Sequence, residues 1–203
     1  MRVTLVILAF AVLLNGCGSA PQLSSANLAN AASAAQKRDD WASAAQLWQQ
    51  AIQKENGFWQ PEFSRSPRII AIYYYELGRS LGVLGKYEDA ERHLLQAFRL
   101  DEKFNGPKGM DLVELARLNY ARGNYARAAS FFDQILPRMD AVAEANPAAY
   151  IALLHEAASV YQNIGQNSRA AELNTKAQEF SARHPNARFP DNYGWTPYKN
   201  AAR

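Results

Sequence analysis

The chain has 203 residues, enough for one ordinary domain. Its net charge of +3 comes with no concentrated basic stripe, which argues against nucleic-acid binding. A hydrophobic content of 48% against 20% charged residues excludes wholesale disorder and supplies apolar surface for a packed core. Cys17 is the only cysteine, so no disulfide within the chain can stabilise the fold.

The N-terminus differs from the rest. Arg2 precedes a twelve-residue run from Val3 to Leu14 that is apolar except for Thr4. Crossing a bilayer takes roughly 20 apolar residues, so a basic start with a run this short reads as a secretory signal peptide. The run ends in Leu14-Asn15-Gly16-Cys17, which resembles the bacterial lipobox. That resemblance implies cleavage after residue 16 and lipidation of Cys17, with Gly18 rather than Asp favouring the outer membrane, on its periplasmic side. More than one acyl chain on the cysteine makes such an anchor stable. The other reading is an ordinary signal peptide with an incidental thiol. Residues 17–25 then form the lipidated cysteine and a short polar tether.

Helical stretches follow in pairs. Ser24–Arg38 leads into Trp41 and "DDWASAAQLWQQA"; Tyr73–Leu84 leads into Tyr87 and "GKYEDAERHLLQA". Asp111–Ala121 leads into Tyr125 and "GNYARAASFFDQI"; Ala148–Ile164 leads into "GQNSRAAELNTKA", where Asn167 replaces the aromatic residue. The opening positions 41, 87, 125 and 167 recur at intervals of 46, 38 and 42 residues. Three residues beyond each stands an alanine: Ala44, Ala90, Ala128 and Ala170. Seven further on come Ala51, Ala97 and Ala177, with Ile135 as the exception. A small residue also recurs in each preceding helix, as Ala32, Gly78, Ala116 and Ala158. These spacings put small side chains on one helix face, where a neighbouring helix can approach closely, with Trp48, Leu94 and Phe132 filling the space beside them. Gly85, Gly123 and Gly165, and Asp39 in the first pair, stand where a helix closes through a left-handed residue. Ser66-Pro67 and Asn146-Pro147 pair an N-cap with a proline at the first helical position.

The pattern resembles the tetratricopeptide repeat, in the longer variety of kinesin light chains, most visibly over Arg99–Tyr125. The resemblance implies an all-α, superhelical array of about four helix-turn-helix pairs, an α-solenoid, over residues 26–183, followed by an irregular tail over 184–203. Between the first two pairs lies an aromatic insertion, 57–67, expected to pack onto neighbouring hairpins; an exposed binding loop is the alternative. Pro137 is expected to kink or end its helix. Phe189, Tyr193, Trp195 and Tyr198 are candidates to cover the open apolar end of the array, the alternative being a disordered tail that binds a partner.

No metal-ligand spacing joins His93, His155 and His184, and no phosphate loop or nucleophile elbow is present, so neither a metal nor a cofactor is expected and the chain reads as a non-enzyme. Glu88, Asp89 and Glu91 read as a solvated face. In such arrays the first helix of each pair lines a concave groove that binds peptides. Helical phase assigns to it Ser33 and Lys37, Tyr75 and Arg79, Val113, Arg117 and Tyr120, and His155, Gln162 and Asn163. Arg79 and Arg117 either pair with a partner's carboxylate or with Glu76 and Glu114, three residues away on their own helices. The function expected is a lipid-anchored envelope scaffold or assembly factor holding a segment of a partner protein. Lipoproteins with this kind of array resemble pilotins and accessory subunits of the outer-membrane barrel-assembly machine. The alternative is a periplasmic enzyme or a regulatory subunit of one, for example in cell-wall turnover.

Overall fold

The computed structural model describes residues 24–56, 67–188 and 196–198. The signal peptide, Cys17, nearly all of the aromatic insertion, and Phe189, Tyr193 and Trp195 lie outside the described residues. Among those described are eight α-helices: α1 (Ser25–Gln36), α2 (Trp41–Asn56), α3 (Pro67–Val83), α4 (Tyr87–Phe104), α5 (Lys108–Ala121), α6 (Tyr125–Asp140), α7 (Pro147–Asn163) and α8 (Asn167–Arg183). A single 3₁₀ turn, Ala143–Ala145, joins α6 to α7.

Each odd-numbered helix packs on the even-numbered helix after it, and each pair packs on the next, so contacts run along the chain as in a solenoid. The recurring small residues make these contacts. Ala44, Ala90 and Ala128 are fully buried and Ala170 nearly so. Ala32, Ala116 and Ala158 of the preceding helices are buried as well. A Cβ at Gly78 would stand 2.7 Å from the Leu94 side chain and 3.0 Å from the Ala90 carbonyl, so α3 and α4 approach this closely only because that residue is glycine. Trp48, Leu94, Phe132 and Ile135 fill the rest of the seam.

The hairpin turns repeat one geometry. Gly85, Gly123 and Gly165 each have φ +77°, and Asp39 takes the same left-handed region at φ 59°. The starts also follow the sequence. Ser24 accepts a hydrogen bond from the Asn27 amide, and Asn146 caps α7 by accepting from the Ala149 amide at 3.2 Å, ahead of Pro147.

Two local expectations change. The helix does not end at Pro137: α6 runs on to Asp140. Glu91 is not on a solvated face. Its side chain is only 12% exposed and takes both Arg122 and Arg127, tying α4 to the next hairpin.

Candidate functional site

Three odd-numbered helices carry the same short phrase at the same height. Glu76-Leu77-Gly78-Arg79 in α3 becomes Glu114-Leu115-Ala116-Arg117 in α5 and Glu156-Ala157-Ala158-Ser159 in α7. The small residue faces the hairpin partner. The glutamate two positions before it and the residue after it point to the concave side, because a helix turns 100° per residue.

The result is a continuous polar strip across four helices. Gln36 of α1 donates to Glu76 Oε2 at 2.9 Å and to Ser80 Oγ at 3.2 Å. Arg79 pairs with Glu76 at 3.0 Å. Arg117 pairs with Glu114 at 3.1 Å within α5, and reaches Glu156 of α7 with two N–H groups, at 2.8 and 3.0 Å. Tyr120 and Ser159 join α5 to α7 a turn further on, at 3.1 Å. Burial alone would lower the affinity of both guanidiniums for their protons, but the neighbouring carboxylates hold them above their ordinary values. Glu156 is raised by burial despite Arg117. The Tyr75 hydroxyl is pushed far up, first by burial and then by Glu114.

The centre of the strip is occupied by the chain itself. Thr196-Pro197-Tyr198 forms a tight turn, with the Tyr198 amide donating to the Thr196 carbonyl at 2.8 Å. Proline at the middle of such a turn has its φ already near the required value. The turn aims two hydroxyls at one carboxylate: Thr196 Oγ1 and Tyr198 Oη each donate to Glu114 Oε2 at 2.8 Å. Thr196 Oγ1 also accepts from Arg79 Nε at 2.7 Å. Glu114 is only 2% exposed, so these bonds are made away from water. The Tyr198 ring lies against α3 at Gly82, where a Cβ would collide with it and with the Leu118 side chain. Burial, then Glu114, raises its hydroxyl well above the ordinary tyrosine range. Tyr198 therefore sits on the concave face at α3 and α5.

Two hollows lie along the strip. One of about 670 Å³ is bounded by Tyr75, Arg79, Met110, Val113, Arg117 and Leu153. The other, of about 300 Å³, lies between the turn and Tyr120, Phe132 and Val160.

Of the residues phased onto the groove, Tyr75, Arg79, Val113, Arg117 and Tyr120 are brought together here. The arginines adopt the intrahelical pairing that was one of their two options. Lys37 is exposed at the C-cap of α1. His155 turns to the other member of its own hairpin, with Nδ1 3.0 Å from Asn174 Oδ1 of α8, and Gln162 and Asn163 are exposed. In α7 the concave positions belong to Glu156 and Ser159 instead. Sequence reasoning named Glu76 and Glu114 only as partners within their own helices; it missed Glu156 and the column the three glutamates form, although the repeated Glu-x-small phrase carried it.

A second buried polar cluster was also missed. Asp101 of α4 and Asp111 of α5 are 6% and 2% exposed and hydrogen-bonded to each other. Burial raises both. Asp111 is pushed up to about 8, first by burial and then by Asp101, so the two carboxyls hold a proton between them near neutral pH. Gly106 leaves room for Asp101, whose carboxylate a Cβ there would strike. Among the described residues, no group of three or more His, Cys, Asp or Glu side chains is placed to hold a metal ion.

Comparison with known proteins defines the class. Residues 68–141 match the tetratricopeptide repeat model. The chain is similar in structure to BtubC (BKLC) from P. vanneervenii, with a TM-score of 0.71 at 17% identity, over 82% of this chain and 66% of that one. It is also similar to the nearly identical TPR-like repeats of a Podosopora anserina kinesin light chain, with a TM-score of 0.64 at 23% identity, over 80% and 77% of the two chains. A third similar structure, aspartyl phosphate phosphatase F from Bacillus subtilis, has a TM-score of 0.66 at 14% identity, with 41% of its length covered. No curated protein sequence matches the chain. Identities this low speak to fold alone. Residues 68–141 carry tetratricopeptide repeats, and the fold is similar to that of kinesin-light-chain-like repeat proteins, an architecture suited to protein–protein contact.

Proposed function

We propose that the protein is a lipid-anchored scaffold of the bacterial envelope, held at the outer membrane through Cys17 and facing the periplasm, where its concave strip holds a segment of a partner protein. The anchor rests on the lipobox resemblance at Leu14–Cys17. The binding reading rests on one observation: the strip already holds a short stretch of polypeptide, Thr196–Tyr198, by side-chain hydrogen bonds and a ring slot. The hollows along the strip leave room for more.

Two experiments test this. Crosslinking and mass spectrometry of the native chain in its own membrane, repeated with the double variant Arg79→Ala, Arg117→Ala, is expected to give a partner crosslink that the variant loses. Equal recovery from both would overturn the groove. Membrane fractionation of Cys17→Ser is expected to release the chain from the outer-membrane fraction; retention there would overturn the anchor.

A further inference from the structure

The chemistry around Glu114 specifies what the strip takes, given the scaffold reading above. Both guanidiniums are already committed within the array, Arg79 to Glu76 and Arg117 to Glu114 and Glu156. Three carboxylates thus face two cations, and an acidic ligand would add to the excess negative charge. What the strip offers is an acceptor. Glu114 Oε2 receives two hydroxyl hydrogens, while Arg79 Nε supplies a donor that a hydroxyl oxygen accepts. The Thr196 hydroxyl satisfies both with one atom. A methyl would leave a buried carboxylate oxygen and a guanidinium N–H short of partners. The second contact is steric: Gly82, in the last turn of α3, leaves space that the Tyr198 ring fills. Pro197 sets the turn that delivers both side chains to one face.

We infer that the strip centred on Glu114 is a receptor for a hydroxyl–proline–tyrosine turn presented by a partner protein, and that Thr196–Tyr198 is the chain's own copy of that ligand, which the partner displaces. The chain's copy lies close at hand on the same polypeptide, so its local concentration is high and a partner engages only when it outcompetes it. The strip is therefore gated by the Thr196–Tyr198 turn.

The test uses the full chain and a labelled peptide of the tail sequence, GWTPYKNAAR, followed by fluorescence anisotropy. Thr196→Ala, Tyr198→Ala disables the resident turn; the peptide is expected to bind this variant at least about tenfold more tightly than wild type. On the same variant, binding is expected to weaken by at least about tenfold when the peptide is changed to GWAPAKNAAR, when its threonine is phosphorylated, or when Glu114→Gln is added. Gly82→Ala in that background fills the ring slot without touching the charges, and gives the same loss if Glu114→Gln proves poorly folded by circular dichroism. Equal binding to wild type and the double variant, no binding to either, or preference for the phosphorylated peptide would each overturn the inference. So would a wild-type dimer in sedimentation that Tyr198→Ala dissociates, since the occupant would then be a second copy. If the peptide fails while the envelope crosslink remains sensitive to Arg79→Ala, Arg117→Ala, the scaffold stands and only this ligand assignment falls.

Discussion

The seam inside each hairpin and the strip across the concave face are built from the same helices by opposite means. In the seam, Ala90, Ala128 and their counterparts are small so that two backbones come close, and what holds them is area removed from water. In the strip, Glu76, Glu114 and Glu156 are joined by hydrogen bonds through Gln36, Arg79, Arg117 and the Thr196 hydroxyl. The seam is closed and cannot be exchanged. The strip is satisfied by groups that another molecule could replace, which is what a binding surface needs.

Substitutions sharpen the contrast. The largest loss belongs to the seam: Phe132→Ala, at a fully enclosed side chain, should cost about 3–5 kcal/mol and lower the thermal midpoint read by circular dichroism. A change within about 1 kcal/mol would mean that the seam is not close-packed. The strip should be less costly. Glu156→Ala leaves Arg117 without its bridge between α5 and α7, and a loss of about 1–3 kcal/mol is expected in chemical denaturation. A loss as large as that of Phe132→Ala would erase the distinction between the two regions.

The Asp101–Asp111 pair gives a pH signature. The unfolded chain binds the Asp111 proton only below about pH 3.9, whereas the folded chain keeps it to about 8. Its stabilising contribution is therefore full below about pH 4 and is lost as pH rises through about 8. Asp111→Asn keeps the neutral form at every pH. It should flatten this slope and raise stability at pH 8 by about 1–2 kcal/mol, with little change at pH 4. An unchanged slope in urea titrations would show that no shared proton is held there. The smallest effect belongs to the exposed Arg92–Asp89 pair on α4: Arg92→Ala should change stability by less than about 0.5 kcal/mol.

The seam was legible because its requirements are local. A hairpin of fixed geometry needs a small residue at each crossing and a left-handed residue at each turn, and these recur in the sequence as Ala44, Ala90, Ala128 and Ala170 and as Gly85, Gly123 and Gly165. The strip was half legible. Helical phase found Tyr75, Arg79, Arg117 and Tyr120, and named Glu76 and Glu114 as partners within their own helices, but glutamates on a helix look solvated until a neighbour buries them, so the burial of Glu114 and the bridge to Glu156 went unread. His155 failed for a related reason: it stands at the same register as Tyr75 and Val113, yet Asn174 of its own hairpin holds its ring. The seat of Tyr198 was not legible at all, because it joins residues 84 positions apart through a hydroxyl and a carboxylate with no spacing rule. The shared proton on Asp111 depends on desolvation by α4 and α5 together, which single-helix patterns do not record.

The most direct test of the concave strip as the working surface is site-specific photo-crosslinking in native membranes. The crosslinker is placed once at Met110, 57% exposed at the rim of the larger hollow, and once at Gln134, exposed on α6. The account predicts a discrete protein adduct from position 110 and none of that mass from position 134. The same adduct from both positions, or from 134 alone, would contradict it.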